Sequence, residues 1–244
     1  MKANIIRNLM TAATAVTALV SMAAPGVAVS LQAGETFGTN GLKFVEDTNV
    51  KFTFIQSNGA FQSTLKLFEV GSGNTLTLVK NLFAETKGSD NSWENGWLGT
   101  CGNTVAFTEG NSCNSYYTFQ ANKTYTLGLD SGGNGIVYST TALNNFAPSG
   151  TQQAVFNSFG SQGQPDTTPF TGANAAEFQS SDPLAMVVKI GIDDRGNGND
   201  KDFQDYTVTA LGTRKAVPEP TTLAGLALSS VALAFSRRRR VGSV

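Results

Sequence analysis

The sequence predicts an all-β protein, in the form of an antiparallel β-sandwich with jelly-roll-like connections. Short alternating apolar runs recur along the middle of the chain, and turn residues separate them at close intervals. No segment between the two ends has a convincing amphipathic helical period, apart from one or two turns at residues 173–178. A parallel α/β fold needs crossover helices, so about eight short strands favour two packed antiparallel sheets.

The clearest strand signal lies at residues 50–55, where Val50, Phe52 and Phe54 share one face. The other predicted strands lie at 61–70, 76–83, 116–119, 124–129, 135–139, 184–192 and 206–211. Gly and Asn turns such as Asn58-Gly59 separate several of them. The segment at 149–166 is rich in Gly, Gln, Ser and Pro, which predicts a long loop.

Residues 1–30 have the pattern of a secretory signal helix. Lys2 and Arg7 precede an apolar run at 9–24, and Pro25-Gly26 ends it. Small residues at Ala28 and Ser30 predict cleavage near Ser30, with an uncleaved membrane anchor as the alternative. The exported domain is then expected to span residues 31–216.

The C-terminal segment, residues 217–244, combines three features in order. Pro218-Glu219-Pro220 is extended because proline disfavours helix on both sides. An apolar stretch follows at 221–236, and four arginines follow at 237–240. As a helix the apolar stretch would span about 24 Å, slightly less than the roughly 30 Å hydrocarbon core. We therefore predict a short transmembrane helix with its arginines in the cytoplasm.

This order of features resembles the PEP-CTERM sorting tail. The resemblance covers residues 217–244, and Pro218, Glu219 and Pro220 match its signature. It implies recognition and processing by an exosortase at the inner membrane. It also implies a final position at the cell surface or in an extracellular polysaccharide matrix. A plain tail anchor is the alternative.

Charge is distributed unevenly along the chain, whose formal net charge is −1. Six of the 17 basic residues and one of the 18 acidic residues lie in the two terminal segments, which leaves the domain near −6. A domain of this charge is poorly suited to nucleic acid, whose affinity comes from phosphate neutralisation. The chain has no histidine, which excludes Ser-His and Cys-His nucleophile systems. We expect a non-enzymatic protein; a carboxylate-dependent glycan hydrolase is the less favoured alternative.

The two cysteines, Cys101 and Cys113, are predicted to form a disulfide, because an exported chain meets an oxidising environment. Trp93 and Trp97 precede them and are candidate glycan contacts, since aromatic rings stack on sugar faces. The alternative for both rings is packing in the core or over the disulfide. A carbohydrate-binding module is therefore a second hypothesis for the domain.

An acidic run between the last two predicted strands is the main candidate site. Five carboxylates fall within 13 residues: Asp193, Asp194, Asp200, Asp202 and Asp205. Carboxylates and Asn carbonyls on a Gly-containing loop suit calcium, which takes six to eight oxygen ligands. The alternative is a structural turn in which Asp side chains accept backbone N–H bonds.

The same run resembles the end of a secreted bacterial domain of unknown function with a D-x-D-[FY]-x-D signature. Residues 200–205 match that signature, and the strand predicted at 184–192 precedes it. Together these features predict a structural or adhesive envelope protein, stabilised by calcium and retained in or near extracellular polysaccharide.

Overall fold

A computed structural model describes residues 30–59, 61–86, 98–146, 151–158, 178–195 and 203–214. Within these ranges the strands form two antiparallel sheets. The first sheet contains β1 (Thr36–Gly38), β2 (Gly41–Lys43), β4 (Thr64–Val70), β5 (Leu76–Ala84), β8 (Thr124–Asp130) and β9 (Ile136–Tyr138). The second contains β3 (Thr48–Ser57), β6 (Gly99–Thr100), β7 (Asn114–Phe119), β10 (Ala154–Ser158), β11 (Val188–Ile192) and β12 (Tyr206–Arg214). The all-β prediction is confirmed.

Each sheet has one strand that pairs with three others, β8 in the first sheet and β3 in the second. In the first sheet the order is β1-β2-β8-β4-β5, and β9 also pairs with β8. In the second the order is β10-β11-β12-β3, and both β6 and β7 pair with β3 on its other side. The chain returns to the second sheet for its last three strands, which form a meander. The jelly-roll-like comparison stays a prediction.

One hydrophobic core contains side chains from both sheets, so the sheets pack face to face as a sandwich. The predicted alternation of β3 is observed, because Val50, Phe52 and Phe54 are all buried. Phe119 of the second sheet lies edge-on to Tyr125 of the first, with 5.0 Å between ring centroids. Such edge-to-face contacts add stability beyond the area that the rings bury.

The loop predicted at residues 149–166 is wrong in part, because β10 forms inside it. Ala154, Val155 and Phe156 are fully or almost fully buried, and β10 pairs with β11 over its whole length. The apolar run is only three residues long, and the many Gly, Gln and Ser residues around it led to the prediction of a loop. The strand predicted at 184–192 begins only at Val188, and β1, β2 and β6 were not predicted. Strands of two or three residues depend on pairing partners rather than on a local pattern.

The predicted disulfide between Cys101 and Cys113 is present, with 5.7 Å between the two Cα atoms. It closes the segment that leads from β6 into β7, and Cys113 is fully buried. In the chain-entropy model, a disulfide that closes a loop of this size stabilises the folded state by about 3 kcal/mol.

The described helical elements are three-residue 3-10 turns at 72–74, 132–134 and 141–143. Within the described ranges, no helix is long and apolar enough to cross a membrane. The predicted signal segment, residues 1–30, lies outside the described residues apart from Ser30, and the predicted transmembrane helix at 221–236 lies wholly outside them.

A buried ion pair joins the two ends of the domain. The Arg214 guanidinium, at the last residue of β12, contacts the Glu35 carboxylate. The side chains are 3% and 0% exposed, respectively. Glu35 also accepts hydrogen bonds from the backbone N–H groups of Gln32 and Val45, each at 2.7 Å. The pair therefore fixes the start of the domain against its last strand.

Candidate functional site

The acidic run connects β11 to β12 at one end of the sandwich. Its residues 193–195 and 203–205 are described. Asp193, Asp194 and Asp205 are 0%, 4% and 4% exposed. Such burial is unusual for aspartate and requires compensating hydrogen bonds. Asp200 and Asp202 lie outside the described residues.

Asp194 and Asp205 accept backbone hydrogen bonds that join separate parts of the chain. The Phe61 N–H donates to Asp194 Oδ2 at 3.1 Å, and the Asp194 N–H donates to Asp205 Oδ2 at 2.7 Å. The Asp205 carbonyl oxygen accepts from the N–H groups of Asn58 and Gly59, both at 3.1 Å. The turn thereby holds the connection from β3 to β4.

Gly59 allows this close approach. A Cβ at this position would lie 2.6 Å from Asp194 Oδ2, well inside contact distance. The Asn58-Gly59 pair, which the sequence marked only as a turn, therefore packs directly on the acidic turn. A larger residue would have to displace a buried carboxylate.

Asp193 begins the turn and shapes its backbone. Its Oδ1 accepts a 2.6 Å hydrogen bond from the Arg195 N–H, and its own N–H donates to the Gln153 carbonyl oxygen at 3.0 Å. Arg195 has a left-handed backbone with φ of 65°. Its guanidinium carbon lies 3.6 Å from the centroid of the Phe146 ring, a cation–π contact.

Glu85, the residue directly after β5, is a buried carboxylate that the sequence analysis missed. It is 7% exposed, and its Oε2 accepts a hydrogen bond from the Ser63 N–H at 2.7 Å. Burial raises the pKa of Glu85 above its ordinary value; hydrogen bonds from Ser57 and Ser63 oppose this, and the charge of Asp194 adds to it. No local sequence signal places Glu85 beside the acidic turn, because the two lie about a hundred residues apart in the chain.

Tyr206, the first residue of β12, lies beside these carboxylates and is 1% exposed. Its ring contacts Phe54 edge-on at 5.3 Å. Burial raises the pKa of Tyr206 well above its ordinary value, and the charge of Glu85 adds to this rise. The phenol therefore stays neutral at physiological pH.

This arrangement acts as a structural turn within the described part of the site. Each of the three described Asp carboxylates accepts a backbone N–H bond, which is the alternative that the sequence left open. Among the described residues, no group of three or more Asp, Glu, Cys or His side chains is arranged to hold a metal ion. Calcium at this turn stays a prediction, and its test involves Asp200 and Asp202.

The predicted glycan contacts, Trp93 and Trp97, lie outside the described residues. The flanking residues on either side are described. Thr86 donates its N–H to the Thr104 carbonyl oxygen at 2.8 Å, and Leu98 is 53% exposed. Thr86 therefore lies beside the disulfide-linked loop, and Leu98 precedes Cys101 by three residues.

The fold and site define an all-β sandwich domain with a disulfide and a hydrogen-bonded acidic turn. Residues 216–240 match the PEP-CTERM protein-sorting motif, and this match includes Pro218, Glu219 and Pro220. The chain therefore carries a PEP-CTERM sorting tail and is an exported protein that an exosortase sorts at the membrane. No curated protein and no solved structure matches the chain.

Proposed function

We propose that this protein is a non-enzymatic structural or adhesive component of the cell envelope or of an extracellular polysaccharide matrix. The observation that carries the proposal is the attachment of the sorting motif to the sandwich. The motif begins at residue 216, two residues after Arg214, whose side chain is locked in the ion pair with Glu35. The tail therefore holds a domain whose first and last described segments are fixed to each other.

Several contacts that join distant parts of the chain support a structural role. The buried ion pair joins residues 179 positions apart, the Phe61–Asp194 hydrogen bond joins residues 133 positions apart, and the disulfide closes the loop between β6 and β7. An exported protein has no continuous access to cytosolic quality control, so resistance to unfolding protects it. The polysaccharide surroundings are what the PEP-CTERM resemblance implies.

Replacing Glu219 with Ala in the full chain, together with Pro218→Ala, is expected to abolish exosortase sorting. The change removes one of the two prolines that favour an extended backbone, and with it the acidic residue of the signature. We expect the variant to remain in the inner-membrane fraction, while the parent chain reaches the surface or the medium. Cell fractionation with immunoblotting measures the distribution.

The matched control for the sorting variant is Glu46→Ala, which removes an exposed carboxylate from the domain and leaves the tail intact. It should be sorted as the parent chain is. Normal surface delivery of the Pro218/Glu219 variant would contradict exosortase dependence.

We also propose that calcium binds at the acidic run, with Asp200 and Asp202 completing the oxygen ligands. The supporting observations are the five carboxylates within 13 residues and the burial of the three that are described. Concentrated negative charge in a buried turn is relieved by a divalent cation. Because Asp193, Asp194 and Asp205 are not arranged together around one ion, at most two of them would share a carboxylate between a backbone N–H and the ion.

Adding calcium to the chelator-treated protein is expected to raise its melting temperature. An ion that binds only the folded state adds about 2.7 kcal/mol when its concentration is 100 times its Kd. The Asp200→Asn/Asp202→Asn variant should have the same melting temperature in calcium as in chelator. Asp200 and Asp202 are changed rather than Asp194 and Asp205. The latter two accept backbone N–H bonds, so replacing them would destabilise the fold whether or not an ion binds.

The control for this pair is Glu46→Gln, an exposed charge removal that should retain the calcium response. Differential scanning calorimetry provides the melting temperatures. A parent protein with the same melting temperature in calcium and in chelator would contradict the ion site and leave the structural turn intact.

A further inference from the structure

The outer face of the second sheet presents a flat array of side chains, which we call the outer grid. It comprises three rows across β12, β3 and β7. The rows are Thr209–Thr53–Asn114, Leu211–Lys51–Tyr116 and Thr213–Asn49–Thr118. Five of these nine residues are exposed, three are half-buried, and Thr209 at one corner is buried.

The strand geometry fixes the dimensions of this grid. Neighbouring strands lie about 4.8 Å apart, and successive residues on one face of a strand lie about 6.8 Å apart. The grid therefore measures roughly 10 Å across the strands and 14 Å along them. The intervening residues, such as Phe52 and Ala210, point into the core and are fully buried.

Hydrogen bonds hold several grid side chains in place. The Thr53 hydroxyl donates to Asn114 Oδ1 at 2.8 Å, and Asn49 Nδ2 donates to the Thr118 hydroxyl at 3.2 Å. Because these side chains are already oriented, they lose little additional conformational entropy when a ligand binds.

The middle row supplies apolar contact. Tyr116 is 40% exposed and Leu211 is 38% exposed, and Lys51 lies between them at half-buried depth. The Tyr116 hydroxyl donates to the Glu109 carboxylate at 3.4 Å, which anchors the ring at the rim of the grid. An aromatic ring and the stem of a lysine offer apolar surface, and their polar ends remain in water.

The composition of the grid selects the partner. Seven of its nine residues carry hydroxyl or amide groups, Tyr116 included, and Lys51 is the one charged residue among the nine. This hydrogen-bonding surface, uncharged apart from the half-buried Lys51, lies on a domain whose net charge is near −6. Acidic chains would be repelled by the domain as a whole, whereas a neutral polyhydroxylated chain would pair with the hydroxyl and amide rows.

We propose that the outer grid binds a neutral polysaccharide chain laid flat across β12, β3 and β7, with a sugar ring on Tyr116. This inference rests on the proposed envelope and matrix function and names the partner of that role. It uses a surface different from Trp93 and Trp97, which the sequence marked as candidate glycan contacts.

The test is co-sedimentation of the full chain, in a detergent without sugar headgroups, with amorphous cellulose and with chitin. Soluble alginate in a gel-shift assay serves as the anionic probe. We expect binding to at least one of the two neutral polymers and none to alginate. Tyr116→Ala should weaken binding about three- to ten-fold, as expected for loss of one aromatic contact. Thr118→Glu, which adds a charge to the grid, should weaken it at least as much.

Matched controls lie on β5 of the other sheet. Leu78→Ala is paired with Leu211→Ala, and Thr77→Glu is paired with Thr118→Glu, because each pair changes an exposed residue on a strand. The β5 variants should bind as the parent does. The four variants Leu78→Ala, Leu211→Ala, Thr77→Glu and Thr118→Glu should keep the parent melting temperature within a few degrees.

Absence of binding to both neutral polymers overturns the proposal, and so does binding to alginate alone. Equal binding by the parent, Tyr116→Ala and Thr118→Glu also overturns it, because another surface would then be responsible. A chain that reaches the cell surface but binds neither neutral polymer leaves the envelope role standing and removes the grid. If the chain binds cellulose or chitin but is not retained at the surface or in the matrix, the proposed envelope role is contradicted and the binding surface on the outer grid stands.

Discussion

Replacing Arg214 with Met is expected to lower the free energy of unfolding by about 3–5 kcal/mol, because the change leaves the Glu35 carboxylate buried without its counter-charge. The Glu35 side chain is 0% exposed. Two backbone N–H groups still donate to it, yet they do not replace the guanidinium charge. Urea unfolding followed by circular dichroism measures the change.

The double variant Glu35→Gln/Arg214→Met separates the lost charge from the lost packing. Removing both charges should restore part of the stability, so the two changes are expected to be non-additive. Lys123→Met is the control. It breaks the Glu69 ion pair, whose side chains are 43% and 32% exposed, and should cost about 1 kcal/mol or less. Equal costs for Arg214→Met and Lys123→Met would contradict the assigned role of the buried pair.

The same pair predicts sensitivity to acid. Burial alone would raise the pKa of Glu35, but the hydrogen bond from Arg214, the N–H groups of Gln32 and Val45 and the Arg214 charge together lower it below 4.5. A carboxyl with a lowered folded-state pKa stabilises the fold above its unfolded pKa, and this stability is lost as pH falls through the folded value. Glu35→Gln should therefore flatten the acid limb of the stability profile below about pH 4.5.

Replacing Phe119 with Ala is expected to cost about 3–5 kcal/mol, the range for deleting a large buried aromatic side chain. Phe119 is fully buried where the two sheets meet. Its ring centroid lies 5.0 Å from that of Tyr125, 5.1 Å from that of Tyr117 and 5.4 Å from that of Phe44. The cavity would therefore open between the two sheets and remove contacts on both sides.

Phe107→Ala is the matched aromatic control. This ring is 51% exposed and packs against Gly102 in the disulfide-linked loop, so its loss should cost about 1 kcal/mol or less. Thermal unfolding of both variants beside the parent measures the difference. A Phe119→Ala protein as stable as Phe107→Ala would contradict the placement of Phe119 between the sheets.

Local pattern was sufficient for the long strands. The alternation of Val50, Phe52 and Phe54 predicted β3, and the turns around β4 and β5 were marked by Gly and Asn. Period-two alternation is a local property, so it can be read without knowing the partner strand. The disulfide followed from cysteine count and export, and the sorting tail followed from a contiguous motif.

Pairing decided the remaining strands. β10 lies in a segment whose Gly, Gln and Ser content predicted a loop, and it is a strand because β11 offers it a complete ladder. β1, β2 and β6 contain only two or three residues each. β1 pairs with β2 in a short hairpin, whereas β2 also pairs with β8 and β6 pairs with β3, both of which lie far away in the chain.

For the acidic turn, the sequence determined that five carboxylates lie close together, and it left a structural turn and a calcium site as alternatives. The tertiary structure decided that Asp194 and Asp205 hold the connection from β3 to β4, and that Glu85, directly after β5, lies near Asp194. Likewise, it paired Glu35 with Arg214 and set Lys51 between Leu211 and Tyr116. Composition and local period do not encode such contacts, because residues far apart in the chain meet only when the strands pair and the sheets pack.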